Sequence, residues 1–98
     1  MSIDKNKIKN ELVNISNNIL AKYGEQYVVE EVSVLNMVDK TVFLGSVRIY
    51  DENYASDIEN ELKNEFKEYG DLTIRNELII PCCSQNYIYI SFNISINN

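Results

Sequence analysis

Apolar residues recur with helical spacing in two separate stretches of the chain. The first set comprises Ile8, Leu12, Ile15 and Ile19. The second set comprises Ala55, Ile58, Leu62, Phe66 and Tyr69. Steps of three and four residues place each set on one side of a helix, so the pattern predicts helices over about 4–23 and 54–69.

The residues that flank these two stretches indicate where the helices begin and end. Asp4 has the side chain expected of an N-cap for the first helix. Gly24 and Gly70 follow the two helices, and each is expected to adopt the left-handed conformation that often ends a helix. Ser56 and Glu59 also fit a capping box, which leaves the start of the second helix open by a few residues.

Two strand-like runs follow each predicted helix, the earlier pair with apolar residues on both faces, and alternation with a period of two marks the later pair. It is clearest from Tyr87 onward, where every second residue is apolar: Ile88, Ile90, Phe92, Ile94 and Ile96. A second alternating run begins at Leu72 and stops at Pro81. Two earlier strands are predicted over about 27–37 and 41–50, where Gly45 is a candidate for a β-bulge.

The two halves of the chain share one plan, since residues 21–25 (AKYGE) resemble residues 67–71 (KEYGD). We interpret the chain as one α+β domain over 1–98 with an internal pseudo-repeat, its halves covering about 1–50 and 51–98. The order α-β-β-α-β-β predicts a two-layer sandwich, with two helices on one face of a four-stranded antiparallel or mixed sheet. Moving the last strand to the front would give the β-α-β-β-α-β order, so the fold resembles a circularly permuted ferredoxin-like sandwich.

Strand positions follow from this interpretation. The second strand of each hairpin is expected at the centre of the sheet and the first at an edge, where Pro81 is tolerated. The uncovered sheet face would carry Tyr87, Tyr89, Ser91, Asn93 and Ser95 from one central strand, Arg75, Glu77 and Ile79 from an edge, and either Val42 and Leu44 or Thr41 and Phe43 from the other central strand. Tyrosines are effective interface residues, so Tyr87 and Tyr89 are candidates for a dimer or ligand face.

The net charge of −6 is concentrated around the second helix. Residues 51–71 hold eight carboxylates and two lysines, whereas residues 1–22 have a net charge of +2. Four of these carboxylates fall on one side of the predicted helix, at about 100° per residue, and we call them the acidic flank: Asp57, Glu61, Glu65 and Glu68. The acidic flank is either a solvated surface, compensated by a lysine such as Lys22, or a binding surface for a basic partner.

Side chains that perform catalysis or bind metals are scarce. Histidine is absent, which removes imidazole bases and His-based metal shells. Cys82 and Cys83 are adjacent and are expected to be reduced thiols without a metal or redox role. Glu30 and Glu31 would point to opposite faces of a strand and cannot act as a pair, although one of them could be buried. We therefore expect no enzyme activity, metal or cofactor.

Composition also limits the partners. Arg48 and Arg75 are the only arginines, and the chain lacks the signature of RNA-binding sheets, so direct nucleic-acid binding is not expected. No apolar run approaches the ~20 residues of a membrane span, and no secretory signal is visible, so we expect a cytoplasmic protein without a membrane partner. Abundant Asn, Ile, Lys and Tyr, which have A/T-rich codons, indicate a low-GC bacterium or a phage of one.

Two functional hypotheses follow. The first is a non-enzymatic interaction module that inhibits a basic partner, such as a nuclease or a nucleic-acid-binding effector, through the acidic flank. In size and charge the chain is similar to bacterial immunity proteins and phage anti-CRISPR proteins. The alternative is a homodimeric small-molecule-binding or regulatory domain of ferredoxin-like build.

Overall fold

The computed structural model of the chain describes residues 4–29 and 32–97 and has the predicted α-β-β-α-β-β order. Its elements are α1 (Lys5–Leu20), β1 (Ser33–Asn36), β2 (Lys40–Ile49), α2 (Glu52–Phe66), β3 (Asp71–Ile79) and β4 (Tyr87–Asn97). The α+β class is confirmed, with two helices against a four-stranded antiparallel sheet. Glu30 and Glu31, whose burial the sequence left open, lie outside the described ranges.

The strand order across the sheet is β1-β2-β4-β3. The second strand of each hairpin is therefore central, as predicted, and Pro81 follows the edge strand β3. The β2–β4 ladder runs without interruption from the Lys40–Asn97 pair to the Ile49–Ile88 pair. Gly45 pairs with Phe92 within this ladder, so the prediction of a bulge at Gly45 was wrong.

One sheet face is covered by the helices and the other is open. The largest fully buried apolar side chains come from both helices and both central strands: Leu12, Leu20, Phe43, Ile49, Ile58, Phe66, Ile90 and Ile94. The sheet register places Val42 and Leu44 on the face of Ser95 and Asn93, so the first of the two alternatives for the open face is confirmed. Neither helix of the described ranges is long and apolar enough to cross a lipid bilayer.

α1 is shorter than predicted at its C-terminal end. Asp4 caps it, accepting a hydrogen bond from the Lys7 backbone N–H at 3.1 Å. The helix ends at Leu20 because the chain tightens there into a turn in which the N–H groups of Lys22 and Tyr23 bond carbonyls three residues earlier. The predicted left-handed glycines were wrong, since no glycine in the described ranges has a positive φ.

α2 begins and ends earlier than predicted. The Asp51 carboxylate accepts from the Asn53 backbone N–H at 3.0 Å, so Asp51 is the N-cap and the Ser56 capping box is not used. Ala55, Ile58, Leu62 and Phe66 form its buried stripe as predicted. Gly70 follows the helix with its α-carbon against the Ser95 carbonyl, where any Cβ atom would overlap that oxygen.

The first predicted strand is also shorter than expected, because residues 27–29 do not join the sheet ladder. The Asn17 side chain of α1 bonds both backbone groups of Val29: its Oδ1 accepts from the N–H at 2.8 Å, and its Nδ2 donates to the carbonyl at 3.3 Å. A side-chain amide thus replaces a neighbouring strand for this residue, which is why an alternating sequence does not form a strand here.

Candidate partner-binding surfaces

The contact between α1 and α2 uses one carboxylate of the acidic flank. Glu61 accepts a hydrogen bond from Lys22 Nζ at 2.6 Å and a second, short one from the Tyr23 hydroxyl. The Lys22 contact, followed by the Tyr23 hydrogen bond, lowers the pKa of Glu61 below its ordinary value. The same hydrogen bond raises the pKa of Tyr23 to about 12, with burial as the second cause. The Glu61 carboxylate is therefore already bound by two side chains of the same protein.

A second tyrosine–carboxylate hydrogen bond joins the two helices at the other end of their contact. The Tyr69 hydroxyl donates to Glu11 of α1 at 2.9 Å. Burial, and then the Glu11 hydrogen bond, raises the pKa of Tyr69. Each tyrosine that follows one helix thus bonds a carboxylate of the other helix. The two Tyr-Gly segments therefore connect α1 and α2 by hydrogen bonds at opposite ends of the helix pair.

The other three members of the acidic flank are exposed: Asp57, Glu65 and Glu68. None of them forms an ion pair with a described residue. They lie beside the helix contact, since the charge of Asp57 acts on Tyr23 and the charges of Glu65 and Glu68 act on Tyr69. Within residues 4–29 and 32–97, no three carboxylate or thiol groups converge as metal ligands would. The three exposed carboxylates therefore give this side of the helix pair a negative charge.

A groove at the end of the sandwich, with a volume of about 860 Å³, brings together five of the seven tyrosines. We call it the tyrosine groove, and the five are Tyr23, Tyr27, Tyr50, Tyr54 and Tyr87. They come from the turn after α1, the segment that follows this turn, the β2–α2 connection, α2 and β4. Sequence reasoning singled out only Tyr87 among them, because residues so far apart in the chain share no local pattern.

The tyrosine groove is ordered by contacts among its rings. Tyr23 and Tyr54 have ring centroids 5.3 Å apart, and Tyr50 and Tyr87 have centroids 5.8 Å apart. The Asp51 backbone N–H donates to the Tyr27 hydroxyl at 3.2 Å. Tilted ring pairs at these separations are favourable, so the rings are held in place before any partner arrives.

Charge is distributed unevenly around the tyrosine groove. Asp51 and Glu52, at the start of α2, are the only charged residues within 4–29 and 32–97 that line it. Arg48 lies just outside, with its guanidinium carbon 5.0 Å from the centroid of the Tyr87 ring. Tyr23 links the groove to the acidic flank, since it contacts both Tyr54 and Glu61. Asp57 and Glu61 are therefore the members of the acidic flank nearest to the groove, whereas Glu65 and Glu68 lie toward Tyr69.

The open sheet face has a separate depression of about 640 Å³. Four serine or threonine residues line it, Ser33, Ser46, Thr73 and Ser91, together with Arg75 and Tyr89. Arg75 is its only charged residue and forms no ion pair with any residue of the described ranges. The two candidate face residues, Tyr87 and Tyr89, are both half-buried but border different hollows, Tyr87 the tyrosine groove and Tyr89 this depression.

Cys82 and Cys83 lie in the connection between β3 and β4 and are exposed. Their sulfur atoms are 3.1 Å apart and are not covalently bonded. The hydrogen bond between the two thiols, followed by burial, raises the pKa of the Cys83 thiol. A raised thiol pKa reduces the fraction of reactive thiolate at neutral pH.

Comparison of the chain with protein-family models, with curated proteins and with solved structures finds no match in any of the three.

Proposed function

We propose that this protein is a non-enzymatic acidic interaction module that binds and blocks a basic partner protein. The observation that carries the proposal is the set of three exposed carboxylates on and just after α2, none of which is neutralised within the described ranges: Asp57 and Glu65 in the helix, and Glu68 two residues past its end. Like charges held on one side of a helix repel one another, at a cost of a few tenths of a kcal/mol per neighbouring pair. A basic partner would relieve this repulsion.

The partner class follows from charge complementarity. A surface of one sign speeds association with a partner of the opposite sign and discriminates against others. Nucleases and nucleic-acid-binding effectors have basic grooves that neutralise phosphates, and such a groove would accept the acidic flank. The protein would then act as an immunity-type or anti-CRISPR-type inhibitor in the cytoplasm of a low-GC bacterium, or in the host cytoplasm if it is encoded by a phage.

Within the α+β class we also propose a specific topology, the circularly permuted ferredoxin-like sandwich. In a ferredoxin-like sheet the first and third strands are central, and moving the first strand to the end of the chain would make the second and last strands central. The strand order β1-β2-β4-β3 supports this circular permutation. The matching Tyr-Gly segments, which bond reciprocally across the helix pair, support an internal pseudo-repeat.

The test is affinity capture from a low-GC bacterial lysate with three versions of the protein. The flank variant is Asp57/Glu65/Glu68→Lys, which spares Glu61 because that residue joins α1 to α2. The matched control, Glu25/Asp39/Glu77→Lys, makes the same change in net charge at exposed positions elsewhere. We expect wild type and control, but not the flank variant, to capture a basic protein in stoichiometric amount, with less captured as salt increases. Equal capture by the flank variant would refute the proposal.

The alternative, a homodimeric small-molecule-binding or regulatory domain, is supported by the hydroxyl-lined depression on the open sheet face. A thermal-shift screen distinguishes the two functions, because a ligand that binds the folded state raises the melting temperature by mass action. A hit lost in Arg75→Gln, together with a dimer in solution, would favour the alternative. No hit, with a monomeric protein, would count against it.

A further inference from the structure

We propose that the tyrosine groove receives an arginine side chain of the partner, bound between the Tyr50 and Tyr54 rings and the carboxylates of Asp51 and Glu52. This inference rests on the proposed function, since it names the chemical group of the basic partner that anchors the contact. It adds a second, aromatic component to a surface whose first component is the charge of the acidic flank.

Charge complementarity identifies the occupant as a cation. Among the described residues, Asp51 and Glu52 are the only charged ones that line the groove, and no lysine or arginine of these ranges lines it. The helix N-terminus would by itself repel a cation, but Asp51 already bonds the Asn53 N–H there. Glu52 is exposed and makes no ion pair with a described residue, so its charge is available to a partner.

The exposed rings identify the occupant as a group that packs on aromatic faces. Tyr50 is 42% exposed and Tyr54 is 37% exposed, although each is held by a second ring, Tyr87 and Tyr23 respectively. Rings ordered in this way lose little conformational freedom on binding. Large exposed aromatic side chains in an ordered pocket are typical of residues that dominate binding energy.

Arg48 indicates which end of the groove the cation occupies. Its guanidinium already packs on the Tyr87 ring, so this chain itself uses a tyrosine ring to hold an arginine. The same positive charge repels a second cation from the Tyr87 end. Tyr50 lies between the two ends, since its ring packs on Tyr87 and it directly precedes Asp51 in the chain. The position that remains is at the start of α2, where Tyr54 and Glu52 share the first turn.

Arginine fits this position better than lysine. A guanidinium is planar, stacks on a tyrosine ring and donates two parallel hydrogen bonds to a carboxylate. An ammonium is more strongly hydrated and cannot form that paired contact. Selectivity for arginine, beyond a general preference for positive charge, is therefore the distinguishing expectation.

The experiment measures binding of three short peptides to the full-length chain by NMR titration at moderate salt. The peptides have the sequence Gly-Ser-X-Ser-Gly, where X is arginine, lysine or citrulline, the uncharged analogue of arginine. We expect the arginine peptide to bind with shifts at residues 50–54, the lysine peptide to bind about fivefold to tenfold more weakly, and the citrulline peptide not to bind. Equal affinity for arginine and lysine, or shifts spread along the acidic flank, would overturn the proposal.

Substitutions distinguish binding in the tyrosine groove from binding at the acidic flank. Tyr54→Ala and Glu52→Gln are each expected to weaken arginine-peptide binding about fivefold, whereas Asp39→Asn, at an exposed position between β1 and β2, should leave it unchanged. The Asp57/Glu65/Glu68→Lys variant tests the proposed function independently. If that variant loses the protein partner yet still binds the arginine peptide, both proposals stand. If wild type captures a basic partner but shows no arginine preference, only the groove proposal fails.

Discussion

Glu61 illustrates how a residue with a clear sequence pattern can have a different role once the chain folds. By helical phase it belongs with Asp57, Glu65 and Glu68. In three dimensions it faces α1, where Lys22 and Tyr23 hold it. Its pKa is lowered from an ordinary value of 4.5, so the ionised form stabilises the fold. That stabilisation is present above about pH 4.5 and is lost as the pH falls through the lowered pKa.

We therefore expect Glu61→Gln to reduce the free energy of unfolding by about 0.5–1 kcal/mol at neutral pH, because the pair is partly exposed and screened. The difference from wild type should vanish at a pH below the folded pKa, where both side chains are neutral. Urea unfolding at neutral and acidic pH measures this, with Glu65→Gln as an exposed control that shows no loss. An equal loss of unfolding free energy at both pH values would mean that the shape of the Glu61 side chain, and not its charge, is responsible.

Gly45 has a role that its sequence context does not indicate. The Phe92 ring occupies the space where a Gly45 Cβ would lie, and that ring stacks on Phe66 of α2 with centroids 4.9 Å apart. The missing side chain thus lets an aromatic ring of β4 lie over β2 and reach the helix layer.

Gly45→Ala is expected to cost about 1–3 kcal/mol, because the added methyl group must displace a packed ring. Gly24→Ala is the matched control, since a Cβ there meets only the flexible Gln26 side chain. Urea unfolding of the Gly45→Ala/Phe92→Leu double variant should show recovery of part of the loss. Full additivity of the two substitutions would contradict a direct clash.

At the scale of elements, the segment at 27–29 depends on α1 for its backbone hydrogen bonds. Its aromatic and β-branched residues, Tyr27, Val28 and Val29, are typical of a strand, and Tyr27 and Val29 are buried while Val28 is 48% exposed. An extended segment was therefore predictable, whereas its hydrogen-bond partner was not. Asn17 supplies that partner from a distant helix, and no feature of a local window distinguishes it from Asn14 or Asn18.

Asn17→Ala should destabilise the fold by about 1–3 kcal/mol, because two partly buried backbone groups of Val29 would lose their partners. Asn18→Ala, at an exposed neighbouring position of α1, should have little effect. Urea unfolding measures the stability, and faster hydrogen exchange at the Val29 amide would locate the change. Unchanged exchange at Val29 would show that water replaces the Asn17 amide without cost.

At the scale of the whole molecule, charge is divided between the two layers. α2 carries five carboxylates and one lysine, whereas both arginines of the chain, Arg48 and Arg75, lie on the open sheet face. Under the proposed function, this asymmetry would direct a basic partner toward the helix layer and the tyrosine groove at its end. The open sheet face, where Asp71 and Glu77 offset the two arginines, would be left for a second copy or a small ligand. The flank variant should therefore lose the basic partner without a change in oligomeric state.

The sequence by itself determined the order of the elements, the central and edge strands, the buried stripes and the concentration of negative charge on α2. These properties depend on residues a few positions apart, whose spacing places them on one face of a helix or strand. The tertiary structure alone decided that Glu61 would be paired, that Phe92 would lie over Gly45 and that five tyrosines would share a groove. Those contacts join residues far apart in sequence, and only the packing of helices on the sheet brings them within reach of each other.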